Sequence, residues 1–120
     1  MLESEIAVLL DPGVTPTDKI YEQLGADLPG RDAFGGDLVA RGKAAFQNAR
    51  GRLRKELCPH LQDPSIRALI ESQQSSDLIA LVAVIASIVG AISGFSLNAS
   101  LVAVLVVRMG ARNLCPDLKD

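Results

Sequence analysis

The sequence predicts an all-α protein: a small single-domain helical bundle of about five helices, with a C-terminal apolar helical hairpin. Three observations carry this expectation. The apolar residues are aliphatics and alanine, with Tyr21, Phe34, Phe46 and Phe95 the only aromatics, whereas a β-sandwich needs strands rich in Thr, Tyr and Phe. Apolar side chains recur at helical spacing through the middle of the chain. The length of 120 residues is enough for one core and too short for two.

Residues 2–10 form a short helix or turn, ended by Asp11-Pro12-Gly13. Thr15-Pro16-Thr17-Asp18 reads as a helix start, with Thr15 as cap, Pro16 at the first position and Asp18 at the third. That helix is expected to end at Leu24, with Gly25 as its stop, and residues 25–36 to be a loop. These first 36 residues make an acidic, loop-rich N-terminal part.

Asp37 is the next cap, opening a basic amphipathic helix over 37–58. Val39, Gly42, Phe46, Ala49, Leu53 and Leu57 make its apolar face, while Lys43, Gln47, Arg50 and Arg54 repeat on the opposite side. Pro59 stops it. Asp63-Pro64 starts a short helix over 64–72, with Ile66, Leu69 and Ile70 turned inward. Ser72 to Ser76 is a polar break, and Ser75 or Ser76 caps the next helix.

No charged residue occurs from Leu78 to Val107. The cluster Ser93-Gly94-Phe95-Ser96-Leu97-Asn98 marks a turn, so 77–113 reads as two helices, about 77–92 and about 98–113, folded into a hairpin. Helix 77–92 is about 24 Å long at 1.5 Å per residue, short of the roughly 30 Å of a hydrocarbon core. Protein burial is therefore preferred, with helix 77–92 at the centre of the bundle and the basic helix against it. An unbroken Leu78–Leu97 helix would be long enough to span, which keeps a membrane-inserting alternative open. Ala86, Gly90 and Gly94, four residues apart, are the expected strip of close helix packing or oligomerisation.

The net charge of −2 hides a polarity. Residues 1–37 carry eight acids against Lys19 and Arg31, whereas 41–56 carry six cations against Glu56. The acidic part is expected to fold back near the basic helix. The acidic start Met1-Leu-Glu-Ser-Glu does not look like a secretory signal, so a cytoplasmic location is expected, with membrane association as the alternative.

The phrase Leu57-Cys58-Pro59-His60-Leu61-Gln62-Asp63 is echoed by Leu114-Cys115-Pro116-Asp117-Leu118-Lys119-Asp120. Three readings compete for its thiols. Foremost is a pair of reduced, buried cysteines; next is a bridge between Cys58 and Cys115, which a cytoplasmic compartment disfavours. Last is a zinc site of Cys58, His60, Cys115 and Asp117, whose spacing is not a standard zinc pattern. Cys58 and His60 are too close in sequence to imply a nucleophile–base pair, and Gly30, Gly35 and Gly36 lack the spacing of a phosphate-binding loop.

The sequence thus offers no catalytic machinery, cofactor site or small-molecule substrate, and an enzyme is not expected. The leading expectation is a non-catalytic protein–protein interaction module (an adaptor, inhibitor or small regulatory subunit) that binds a protein partner or itself. The working residues would be the basic face of Lys43, Arg50 and Arg54, or an uncovered part of the hairpin. The alternative is a small membrane-inserting toxin, pore former or tether using 78–107. Nucleic-acid binding by the basic helix is not favoured, because its cations are spread around the helix and no stacking aromatics accompany them.

Overall fold

The computed structural model describes residues 3–28 and 37–116, which fold into seven α-helices and, among the described residues, no strand. They are α1 (Glu3–Leu10), α2 (Thr17–Ala26), α3 (Leu38–Leu57), α4 (Pro64–Glu71), α5 (Ser75–Gly90), α6 (Ala99–Met109) and α7 (Ala111–Leu114). A single 3₁₀ turn, His60–Gln62, links α3 to α4. Gly30, Gly35 and Gly36, together with Asp117 of the zinc reading, lie outside the described residues.

Short polar side chains set several helix starts. The Asp37 carboxylate accepts from the Val39 and Ala40 N–H groups, and the Asn98 carbonyl from Ser100 and Leu101, so donors left over in the first turn are satisfied. Before α2 the expected cap moves. Pro16 takes that position, and the Thr15 hydroxyl donates instead to the Val8 carbonyl, tying the loop to α1. Before α5 neither Ser75 nor Ser76 is the cap: Gln74 holds that position without a side-chain cap bond, and the Ser72 hydroxyl accepts from Gln74 N–H and donates to Asp77.

Asp63 caps α4, accepting from the N–H and the hydroxyl of Ser65 at 2.9 and 2.6 Å. These bonds, the hydroxyl foremost, hold its pKa below the ordinary 3.8. A lowered folded-state pKa means that the cap contributes fully above the ordinary value and is lost as pH falls through the lowered one. NMR titration is expected to place the Asp63 midpoint below that of a free aspartate. Asp63→Asn should remove this acid dependence from the Ser65 and Ile66 amides. A midpoint at or above 3.8 would contradict the cap.

The apolar stretch breaks where its serine and glycine cluster predicted, and α5 and α6 pack against each other. Among the described residues no helix is long and apolar enough to cross a membrane. The centre of the bundle, however, is α6 and not the 77–92 helix. Leu101 through Val106 are all buried, six successive residues, because α1, α2 and α5 surround α6. Helix α5 buries one face only, through Leu81, Val82, Ile85 and Val89, and turns Ala83, Ser87 and Gly90 to solvent. The second arm also ends early. Gly110 adopts φ +97°, a conformation that L side chains rarely take, and separates α6 from the short α7.

Helices α2 and α3 cross closely enough for their backbones to meet. A Cβ on Gly42 would stand 2.0 Å from the Tyr21 carbonyl oxygen, and one on Gly25 would stand 2.2 Å from the Leu38 carbonyl oxygen. Gly25 is therefore not a helix stop: α2 continues through it to Ala26, and the missing side chains let two backbones touch. Around the crossing, Ile20, Leu24 and Phe46 are buried, and Tyr21 meets Phe46 edge-on at 6.2 Å.

Arg108, in the last turn of α6, ties the N-terminal elements to the core. It donates to the carbonyls of Leu9 and Thr15 at 3.1 and 2.7 Å, and to the Thr17 hydroxyl at 3.1 Å.

Candidate functional site

The basic helix presents its cations unevenly. Lys43 is engaged by α2, with its ammonium 3.7 Å from Asp18 and 5.8 Å from the centre of the Tyr21 ring. This is the fold-back of acidic part on basic helix, although each group is well exposed and the pair contributes little to stability. Arg52 leaves the helix surface to donate to the Ser93 carbonyl in the α5–α6 turn. Arg50 and Arg54 lie one turn apart, with Lys55 beside them. Among the described residues these three make no ion pair.

The last turn of α3 and the segment after α7 meet through a disulfide between Cys58 and Cys115, whose Cα atoms are 5.7 Å apart. This corrects the preference for reduced thiols. The Leu-Cys starts of the two phrases come together: Leu57 and Leu114 are both fully buried, and each precedes a cysteine of the bridge. The bridge consumes both thiols of the zinc reading. Over it lies a cleft of about 330 Å³ lined by Gly51, Arg54, Lys55, Cys58, Cys115 and Pro116. Cys115 is buried and Cys58 only half so. The cations Arg54 and Lys55 stand at the helix C-terminus, where they complement its partial negative charge.

The fold thus brings Arg54 of the basic face and the Cys58–Cys115 pair into one place, with Arg50 adjoining. It does not assemble the Ala86, Gly90 and Gly94 strip. Helix α5 ends at Gly90; Gly94 lies in the following turn at φ +73°. Gly90 is exposed, and a Cβ there would meet Ala99 at an ordinary 3.8 Å. The close glycine packing belongs to Gly25 and Gly42 instead. One sign of this was present in the sequence, where Gly42 occupies a register position on the apolar face of α3.

The lining of the cleft sets its chemistry. Arginine and lysine at its rim attract anionic groups, the bridge keeps its two walls at a set distance, and Gly51 leaves the helix backbone open along one side. Compared with known proteins, the chain matches no described family, no curated protein and no solved structure.

Proposed function

We propose that the protein is a non-catalytic helical interaction module that docks an acidic segment of a partner protein at the basic end of α3. The observation that carries this reading is the charge arrangement: Arg50, Arg54 and Lys55 make no ion pair among the described residues and flank a cleft braced by a disulfide. A cluster of cations on a braced surface is complementary to carboxylates, and such complementarity steers association as well as strengthening it. A braced surface also has less to lose in ordering when a partner arrives. The bridge itself favours an oxidising compartment as the place of work.

The test uses a fluorescein-labelled acidic amphipathic peptide of about 20 residues, followed by anisotropy at low and moderate salt. Saturable binding is expected, weakened at least about tenfold in the Arg50→Glu/Arg54→Glu double variant and by rising salt, since exposed charges are screened. Arg54 is exposed and Arg50 partly buried, so the helical circular dichroism of the parent has to be retained before the two affinities are compared. Absence of saturable binding overturns the reading. So does tighter binding of a DNA duplex of similar length, which would make the basic end a phosphate-contacting surface.

A further inference from the structure

The tether made by Arg108 does not use up its guanidinium. Of its five N–H donors, three are committed, two from Nη1 to the Leu9 and Thr15 carbonyls and one from Nη2 to Thr17. The second Nη2 hydrogen and the Nε hydrogen have no acceptor among the described residues. Nor does any carboxylate there pair with Arg108, which is half-buried. Carbonyl dipoles orient a cation but do not neutralise it.

A cavity of about 360 Å³ opens beside this guanidinium. Its lining is apolar at Leu10, Pro12, Leu105 and Met109, with Tyr21 beside them, and its polar residues are Arg108 and Thr17. Volume and lining match a small-ligand site, mostly apolar with a few polar groups that set orientation. We propose that this cavity binds a small monocarboxylate with an apolar body. The carboxylate would lie on the open edge of the guanidinium, accepting two parallel N–H bonds, while its hydrocarbon replaces water between Leu10, Leu105 and Met109.

The surrounding charge narrows the class further. Asp11 accepts from the Gly13 N–H and Asp18 faces Lys43; neither lines the cavity, and neither pairs with Arg108. They still leave the neighbourhood acidic, which a dianionic phosphate with one cation to meet would tolerate poorly. A cationic or neutral ligand would leave the guanidinium unmatched. The site is separate from the basic end of α3 and stands whether or not that surface docks a partner.

Tyr21 is the only tyrosine and the chain has no tryptophan, so intrinsic emission reports on this cavity directly. The experiment titrates the intact protein with octanoate, below its aggregation range, and in parallel with octanol, which has the same apolar body without the charge. Octanoate is expected to change Tyr21 emission saturably, at a half-saturation at least about tenfold lower than that of octanol. Arg108→Lys keeps a cation but cannot present a planar fork, and should weaken octanoate at least about tenfold while leaving octanol unchanged. Circular dichroism establishes that this variant is folded; if it is not, the two ligands compared on the parent protein decide. Unchanged emission across the octanoate series overturns the proposal. Equal binding of octanol and octanoate does so as well, as does a folded Arg108→Lys variant that binds octanoate like the parent.

Discussion

Removing the Cys58–Cys115 bridge, by reduction or by the Cys58→Ser/Cys115→Ser double variant, is expected to lower unfolding stability by about 4 kcal/mol. The bridge joins residues separated by 57 positions, and in the loop-entropy account a closure of that size restricts the unfolded chain by about this much. For a domain of this length the change corresponds to a fall of about 15 °C in Tm. It would consume a large share of the roughly 5–15 kcal/mol that holds a small domain together. The effect is expected to exceed that of any surface ion pair, because all three that are described are exposed. Thermal unfolding with and without dithiothreitol, alongside a thiol count on native protein, makes the measurement. Two free thiols in the native state, or an unmoved midpoint after reduction, would sink it.

Gly42→Ala should destabilise the protein by about 2–4 kcal/mol, against the direction that helix propensity alone implies. In an exposed helix interior, alanine in place of glycine gains about 1 kcal/mol. At Gly42 the new methyl would sit 2.0 Å from the Tyr21 carbonyl oxygen, a backbone atom that yields only if α2 moves away from α3. Separating the helices would uncover Ile20, Leu24 and Phe46, so the overpacking cost outweighs the propensity gain. The same helix supplies a control. Gly51 is exposed and nothing lies within 4 Å of its would-be Cβ, so Gly51→Ala should stabilise by about 1 kcal/mol. Urea unfolding of the two variants should therefore give shifts of opposite sign. Equal shifts would show that the α2–α3 crossing has room for a side chain after all.

These two expected results also separate the features that were legible in the residues from those that were not. The all-helical class followed from aliphatic composition and from the three-and-four spacing in α3. Asp37 and Asp63 were readable as caps, since an Asx side chain satisfies amides two or three residues away and needs nothing distant. The turn after α5 was readable for the same reason, a local cluster of serine, glycine and asparagine. Gly25 shows where such reading stops. A glycine near a helix end looks like a C-terminal stop, yet here it is held inside α2 by contact with α3. Nothing near it in sequence distinguishes the two uses.

The candidate site divides in the same way. That residues 41–56 are cationic is plain in the chain, but which of those cations find a partner among the described residues depended on where Asp18 and Ser93 come to rest. The two Leu-Cys-Pro phrases are alike along the chain, and only the tertiary fold, which brings the residue after α7 to the end of α3, made their cysteines a bridge. Which apolar helix lies at the centre was likewise a tertiary decision. Both arms of the hairpin share the charge-free stretch from Leu78 to Val107, and α6 became central because α1, α2 and α5 all cover it. Periodicity, caps and turns act over three or four residues and can be read along the chain. Coverage, crossing distance and pairing are set by groups far away in sequence, and exist only once the helices have met.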